Sequence, residues 1–571
     1  MKILIKKIHI ILFLLILLSV DSKVFGKSDK TQYTRENISN YFLGIISANL
    51  DHNQKAFNYL KKVKSLKDEH SRFNVEYIRT LILLEKFEQA ISFSKNVWKE
   101  NDSLFEADLL LGLNYFVKED YINAEKYFER LIDYEYHFLV GNFISKVLLS
   151  WSKASQGNKE ASLKFIQEIP TPYSHLTKTQ NSFLQCFFNS KKTEESLKEL
   201  IQDKNYNFSR YNFFLINYLL LNNKNDEAKK IIKISREKYN SNLLIKQTEK
   251  FFLNEEYKKI KNFFNCKNPN DSIAELFYVI ANLYSSEKDY QMSNFYLKLS
   301  LFLNKKFLPN KALLAENYFY QRKNKLSKNV YYSLKSIGSE YSWHASKSIA
   351  TILLQEKGKK YSIKSLEDEF NSLRKPTFEH YYELANFYKD NEYYNKSVEY
   401  YSLALKKINE NHFLVPKILD RRGSSFERLG DWESAEKDLM QSLEILPDQP
   451  HVLNYLAYTW VDKGINLDKG LKMLKKASEL RKNDGYIIDS LGWAYYAKKN
   501  YSEAERFLQR AVELMPTDPI INDHYADTLW MLNKNIQARY VWKYVLKLED
   551  TEEELKDIIN KKLIFGITKK L

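Results

Sequence analysis

This sequence contains few of the residues that break helices or that carry metal and redox chemistry. Its 571 residues include only 14 Gly, 10 Pro and 2 Cys. So little Gly and Pro excludes a long disordered linker and favours a nearly all-helical chain. Two isolated cysteines exclude a Cys-X-X-Cys metal or redox site. Hydrophobic residues make up 44% of the chain, which is ample material for a core.

The common catalytic motifs are absent as well. None of the ten His is followed by Glu, which excludes the HExxH helix of zinc peptidases. The glycines form neither a GxGxxG nor a GxxxxGK[ST] phosphate loop, and no GxSxG nucleophile elbow occurs. The sequence therefore predicts a non-catalytic protein with no metal and no cofactor.

The most regular stretch of the chain lies between Asp484 and Asp518. Read at helical spacing, it gives two amphipathic segments, Ile487–Lys498 and Ser502–Met515, joined by a polar turn and closed by Pro516. This pattern predicts a helical hairpin.

The hairpin pattern recurs at a fixed period. Gly492 and Ala504 are followed by Ala526 and Ala538, a period of about 34 residues. Such a period is typical of stacked helical hairpins, each of which needs its neighbours to bury its apolar face. The corresponding first-helix positions, in both halves of the chain, are Gly44, Ile78, Gly112, Ala385, Gly423, Ala457, Gly492 and Ala526.

At these residues the sequence resembles the tetratricopeptide repeat (TPR) family. The motif positions of the family are occupied here by Leu491, Gly492, Tyr495, Ala504, Leu508, Ala511 and Pro516. The resemblance implies an all-α fold, a right-handed superhelical solenoid of TPR-like helical hairpins. Gly492 and Ala504 are then small because the two helices of the hairpin cross at these points.

The repeats divide the chain into five parts. These are a signal peptide at 1–26, N-terminal TPR-like repeats at 27–170, divergent helical repeats at 171–376, C-terminal TPR repeats at 377–549, and a capping helix with a basic tail at 550–571. The last hairpin needs such a cap because it would otherwise expose its stacking face. The segment Pro170–Pro172 predicts a hinge or a joint between sub-arrays. An unrelated domain inserted in the divergent middle is the alternative there.

The N-terminal segment 1–26 has the order of a secretory signal peptide. Lys2, Lys6 and Lys7 precede an apolar run, Ile8–Val20, and the small-residue pattern Val24-Phe25-Gly26. This order predicts export to the periplasm or the envelope of a bacterium. The run is shorter than the roughly 20 residues that span a bilayer, which favours a cleaved signal peptide. A retained N-terminal membrane anchor is the alternative interpretation.

The formal net charge of the chain is +16. A basic surface is compatible with peripheral contact with an anionic membrane or with peptidoglycan, but compositional drift and solvated helix faces are the simpler explanation of the charge. The export signal and the lack of a zinc-finger or RNA-recognition pattern argue against a nucleic-acid partner.

The two cysteines lie about two repeats apart in the sequence. Cys186 and Cys266 each stand among aromatic residues, as buried core cysteines do. An oxidising compartment would allow them to pair. From their separation and setting we expect both to be buried and free.

The resemblance also implies which residues face the concave groove, because the first helix of each TPR hairpin lines it. Carried over residue by residue, these positions hold Asp420, Asn454, Tyr458, Asp489, Trp493, Tyr496, Asp523, Asp527 and Trp530. They predict an acidic and aromatic groove for a basic or neutral peptide segment. They depart from the family's dicarboxylate clamp, which needs Lys, Asn and Arg. The alternative is that the Asp residues bond neighbouring helices and the Trp residues are partly core.

Two classes of function remain. The first is a non-catalytic scaffold or adaptor of the bacterial cell envelope that binds a protein or peptide partner in its groove. The alternative is a peptidoglycan- or carbohydrate-associated factor, which the 15% aromatic content favours, or a subunit of outer-membrane assembly or export machinery. A deep pocket with paired carboxylates between Tyr134 and Pro376 would support the carbohydrate-associated factor.

Overall fold

The computed structural model describes residues 33–99, 104–133, 141–169, 174–202, 209–238 and 242–567. The predicted signal peptide, the predicted hinge at 170–172 and residues 568–571 of the predicted tail lie outside them. The described residues form 31 α-helices and no β-strand. The predicted all-α solenoid of TPR-like hairpins is therefore confirmed. In the described ranges no helix has both the length and the apolar character needed to cross a bilayer.

The described residues form two compact units, which divide between residues 352 and 353. We call them unit 1 and unit 2. The helices of unit 1 are α1 (Arg35–Asn49), α2 (Asn53–Leu60), α3 (Ser71–Leu83), α4 (Phe87–Val97), α5 (Phe105–Val117), α6 (Tyr121–Arg130), α7 (Gly141–Ser155), α8 (Lys159–Gln167), α9 (Ser174–Phe187), α10 (Thr193–Gln202), α11 (Ser209–Leu221), α12 (Asn225–Lys238), α13 (Leu243–Leu253), α14 (Tyr257–Phe263), α15 (Pro269–Ser286), α16 (Tyr290–Leu303), α17 (Lys311–Tyr320), α18 (Asn324–Leu334) and α19 (Ser339–Lys357), which extends past residue 352.

Unit 2 is likewise a succession of hairpins. Its helices are α20 (Lys359–Ser372), α21 (Phe378–Asp390), α22 (Tyr394–Lys407), α23 (Val415–Arg428), α24 (Trp432–Ile445), α25 (Pro450–Asp462), α26 (Leu467–Leu480), α27 (Gly485–Ala497), α28 (Tyr501–Leu514), α29 (Pro519–Met531), α30 (Asn535–Val545) and α31 (Glu553–Phe565). From α21 to α30 each odd-numbered helix pairs with the even-numbered helix that follows it.

The two helices of a hairpin cross at a small residue. A Cβ atom added at Gly492 would lie 2.6 Å from Leu508 Cγ, and one added at Gly112 would lie 2.3 Å from Phe128 Cε1. In both hairpins the residue that fills the space stands on the second helix, at the same sequence distance from the glycine. This close approach explains why a small residue recurs at the repeat period.

A residue in the left-handed backbone region follows the first helix of many hairpins. At such a residue the helix ends and the chain turns into the second helix. The non-glycine residues at these turns include Asp51, Glu85, Glu119, Asn189, Asn223, Glu255, Lys288, Arg322, Glu392, Lys499 and Asn533. From Asn189 to Arg322 the turns follow one another at nearly the same spacing as in the regular repeats. The divergent middle therefore keeps the repeat period even though its sequence signature is weak.

The ends of unit 1 approach each other in space. Gln321 Nε2 donates a hydrogen bond to Asp51 Oδ2 at 2.6 Å across 270 sequence positions. The rings of Phe87 and Phe302 stack with their centroids 4.5 Å apart. Helices α1 to α4 therefore pack against α16 to α18, and unit 1 closes on itself.

The inner face of unit 1 is covered by its own helices. Helix α15 contacts α7 and α9, and α16 contacts α3. On α11, Arg210 forms a bidentate ion pair with Glu275 of α15, at 2.7 and 2.8 Å. Helix α5 is buried on every side from Phe105 to Asn114, as expected of a helix without a solvent-facing side.

The two cysteines form a disulfide, with their Cα atoms 5.9 Å apart. The prediction that they are buried is confirmed, since Cys186 is 3% exposed and Cys266 is 5% exposed. The prediction that they are free is wrong. Cys186 lies in α9 and Cys266 immediately before α15, and the packing of α15 against α9 brings together residues that are 80 positions apart in the sequence.

Reduction of the disulfide should destabilise unit 1. A cross-link that closes a loop of this length lowers the entropy of the unfolded chain and stabilises by about 4 kcal/mol. We expect a reductant to lower the Tm of the wild-type chain and to leave a Cys186→Ser, Cys266→Ser double variant unchanged. Thiol titration of the denatured, unreduced protein should detect no free thiol. Detection of two free thiols in the denatured, unreduced protein, together with equal Tm values for the wild-type and double-variant chains, would contradict the pairing.

Replacing the glycine at the helix crossing by a larger residue should destabilise the hairpin. Gly492→Leu places a side chain against Leu508, which we expect to cost about 1–3 kcal/mol of overpacking. Gln509→Leu, at an exposed position of α28, is the matched control and should change stability by about 0.5 kcal/mol or less. Urea denaturation measures both variants. Equal midpoints would mean that the crossing lies elsewhere.

Candidate partner-binding groove

The first helices of the hairpins in unit 2 differ in how much of their surface is covered. In α23 and α25 the buried residues follow one side of the helix, as Ile418 and Leu419 or Leu456 and Ala457 do. In α29 burial is continuous from Ile521 to His524 and from Ala526 to Leu529. The groove is therefore open along α23 and α25 and covered at α29.

Three of the predicted groove residues lie in the open part, and each has a polar atom without a partner among the described residues. Asp420 of α23 makes no hydrogen bond or ion pair with any of them. The Oδ1 atom of Asn454 is buried and accepts no hydrogen bond from the described residues. The hydroxyl of Tyr458, one turn further along α25, likewise has no partner in the described chain. Of these atoms, the Asp420 carboxylate and the Tyr458 hydroxyl are the ones that a bound segment can satisfy, because the Oδ1 atom of Asn454 is buried.

The setting of these groups alters their proton affinities. Burial raises the pKa of the Asp420 carboxyl, and Arg421, Lys389, His451 and Lys417 oppose that shift in part. A carboxylate that is partly desolvated and lacks a direct partner gains from a cation brought by a ligand.

Burial, aided by Asp489 and Asp462, raises the pKa of Tyr458 to about 12. Its hydroxyl therefore stays protonated at neutral pH and can donate a hydrogen bond.

Asp489 and Trp493 of α27 are engaged with the next hairpin. The Asp489 carboxylate contacts His524 Nδ1 at 3.0 and 3.1 Å. Trp493 stacks between Tyr496 and His524, with ring centroids 4.5 and 4.0 Å away. Burial alone would lower the pKa of His524, but Asp489, together with Asp523 and Asp527, outweighs burial and raises that pKa.

Asp523 and Asp527 of α29 both bind Lys562 of α31. The ammonium donates to the two oxygens of Asp523 at 2.9 and 2.8 Å and to those of Asp527 at 2.8 and 2.9 Å. Trp542 Nε1 also donates to Asp527 Oδ1, at 3.1 Å. Burial and the neighbouring Asp523 raise the pKa of Asp527 to about 6.

Trp530 lies at the same end of the groove. Its ring centroid is 5.5 Å from that of Trp542, and the guanidinium of Arg539 lies 5.1 Å from it. A Cβ added at Gly566 would come within 2.1 Å of Trp530 Cζ2, so the chain after α31 passes directly over the indole.

The nine predicted groove residues thus fall into two groups. Asp420, Asn454 and Tyr458 remain open, and their contact with a partner stays a prediction. The others are engaged within the chain, and the three Asp residues among them make the contacts of the alternative interpretation. Sequence reasoning missed His524 and Lys562, because no local pattern tells which basic side chain will reach a carboxylate from another helix.

A cavity in the middle region bears on the carbohydrate-associated alternative. It has a volume of about 430 Å³ and is lined by residues that include Arg210, Tyr278 and Asn282. None of its lining residues is Asp or Glu. This cavity therefore lacks the paired carboxylates that would support a glycosidase-like site.

Comparison with known proteins gives several matches. Residues 487–518 match the model of the tetratricopeptide repeat. A TPR repeat-containing protein of Pseudomonas aeruginosa is 32% identical over 99 residues, which is 17% of this chain and 17% of that protein. A solved TPR protein from Parabacteroides merdae is 18% identical, with a TM-score of 0.33 over 39% of this chain and 85% of that one. A thermophilic TPR protein of Thermus thermophilus is 16% identical, with a TM-score of 0.28 over 33% of this chain and 100% of that one.

The hairpins and their period define a helical-repeat solenoid, a class whose members are typically non-catalytic scaffolds for protein interaction. The repeat model places a tetratricopeptide repeat at residues 487–518, and the curated relative shares the repeat over 99 residues. The resemblance in the sequence is confirmed. The chain covers 17% of the length of the curated relative.

The pair of His524 and Asp489 should make stability depend on pH. Because the pKa of His524 is raised above 6.5, the charged pair stabilises the fold below pH 6.5, and this contribution is lost as the pH rises through the raised value. Asp489 contacts the imidazole directly, and the charges of Asp523 and Asp527 raise its pKa further.

We therefore expect His524→Asn to lower the Tm more at pH 6 than at pH 9, in thermal melts at both pH values. His451→Asn, at an exposed position, is the control and should show no such difference. An equal loss at both pH values would mean that His524 is neutral in the folded chain.

Proposed function

We propose that this protein is a non-catalytic scaffold of the bacterial cell envelope that holds a protein or peptide partner in the open groove of unit 2. The observation that carries the proposal is the contrast along the groove. Asp489, Asp523 and Asp527 are paired within the chain, whereas Asp420, which holds in its hairpin the position of Asp489 and Asp523, has no direct partner among the described residues. A free carboxylate in a concave surface is a point of attachment for a cationic side chain.

The residues around Asp420 define the partner further. The Asp420 carboxylate accepts from the N–H groups of a bound segment, and the protonated hydroxyl of Tyr458 donates to a carbonyl. Such groups suit the backbone of a peptide segment, and the aromatic ring of Tyr458 suits an apolar side chain. The partner in the proposal is therefore a basic or neutral peptide segment, with one cationic side chain on Asp420.

The envelope location rests on two features. The N-terminal segment 1–26 has the order of a secretory signal. The disulfide between Cys186 and Cys266 is in keeping with an oxidising compartment, because disulfides are rare in reducing ones. Export would be tested by locating the protein in cell fractions, where recovery in the cytosol with an intact N-terminus would contradict it. Peripheral contact of the basic surface with membrane or peptidoglycan is compatible with this location.

Reversing the charge of Asp420 should abolish capture of a basic peptide. The probes are dodecapeptides of one sequence pattern with net charges of about +3, 0 and −3, measured by fluorescence anisotropy against the full chain. We expect the +3 peptide to bind, more weakly as salt rises, and Asp420→Lys to weaken its binding by about tenfold or more.

Asp448→Lys is the matched control for that experiment. Its side chain is 66% exposed and pairs with Lys476, so the substitution changes the net charge equally without touching the groove. Equal weakening of binding by both variants would mean that the effect comes from the net charge of the chain and not from the groove. Tight binding of the −3 peptide would contradict the proposed partner.

A further inference from the structure

Helix α31 occupies the covered end of the groove. Its Lys562 is 7% exposed and lies between Asp523 and Asp527, both on α29. The chain then continues past Gly566 over the ring of Trp530. Three predicted groove residues are thus covered by this helix and the residues that follow it.

Besides this lysine, α31 packs on the last hairpin through Ile559, which is buried beside Trp542 and Val545, and through the partly buried Leu555 and Leu563. Of its residues only Ile559 and Lys562 are buried. Ile564 and Phe565 are 68% and 71% exposed. Arg539 Nε donates to the Leu563 carbonyl at 3.2 Å. Helix α31 packs on one hairpin only, whereas a helix inside the array packs between two, so α31 opens at a lower free-energy cost than its neighbours.

The carboxylates beneath α31 need a cation. Asp523 and Asp527 stand one helical turn apart, and withdrawal of Lys562 would leave two neighbouring, largely buried negative charges. Such charges are unfavourable unless another cation replaces the ammonium. A ligand that supplies a lysine side chain therefore avoids this cost, whereas simple opening of the helix does not.

We propose that α31 is an autoinhibitory segment: Lys562 acts as an internal ligand of the groove, and a lysine-bearing partner segment displaces α31 and takes its place on Asp523 and Asp527. This inference rests on the proposed function, since it extends the open groove at Asp420 toward α29. In the free protein the partner site is then half covered, and binding uncovers the rest.

The test uses a peptide of known sequence, so that it does not depend on an unidentified partner. The probe is a fluorescein-labelled synthetic peptide of residues 551–567, added to the full chain and followed by anisotropy. We expect the chain with Lys562→Met to bind this peptide about tenfold more tightly than the wild-type chain, because its acidic site is vacant. The same peptide carrying Lys562→Met should not bind, and the chain with Lys561→Met, at an exposed position, should behave as wild type.

A second measurement needs no variant. Hydrogen exchange of the unmodified chain should show amides of α31 exchanging much faster than those of α29 and α30. Exchange of α31 as slow as that of its neighbours, or equal binding of both peptides to both chains, would overturn the inference and leave Lys562 as a structural ion pair. Failure of the dodecapeptides to bind at Asp420 would leave these results unaffected, so the two proposals fail separately.

Discussion

The close approach of two helices at a small residue is the constraint on which this structure depends. At Gly44 a Cβ would lie 2.4 Å from Leu60 Cδ2, and at Gly492 it would lie 2.6 Å from Leu508 Cγ. The same sequence spacing between glycine and leucine therefore serves a hairpin in each unit. Because every hairpin buries its apolar face on its neighbours, a wider crossing would disturb the stacking of the next repeat as well. The register that places the crossing residues also places the groove residues.

The two units use the inner faces of their first helices differently. In unit 1, α15 and α16 cover this face, and the ion pair of Arg210 with Glu275 lies within it. In unit 2 the face is open at α23 and α25, and polar groups such as Asp420 remain there without a partner among the described residues. A groove that the chain fills itself cannot hold a partner without rearrangement. This difference is why the proposed function rests on unit 2.

The sequence could predict what is local and periodic. The predicted helices Ile487–Lys498 and Ser502–Met515 have bounds close to those of α27 and α28. This agreement arises because glycine, proline and polar turn residues begin or end a helix at their own positions in the sequence. It could not predict the disulfide, since the packing of α15 against α9 brings Cys266 to Cys186, and the repeat period does not reveal which distant helices pack together. The site was predicted only in part, because the engagement of Asp523 by Lys562 depends on how α31 docks.

Hydrogen exchange of the full chain with and without the dodecapeptide of net charge about +3 tests the central claim most directly, that the groove of unit 2 receives the partner. If the groove binds, exchange should slow in α23 and α25 and accelerate in α31, while α1 to α18 stay unchanged. Slower exchange in unit 1, with α23 and α25 unaffected, would contradict the account and place the working surface elsewhere.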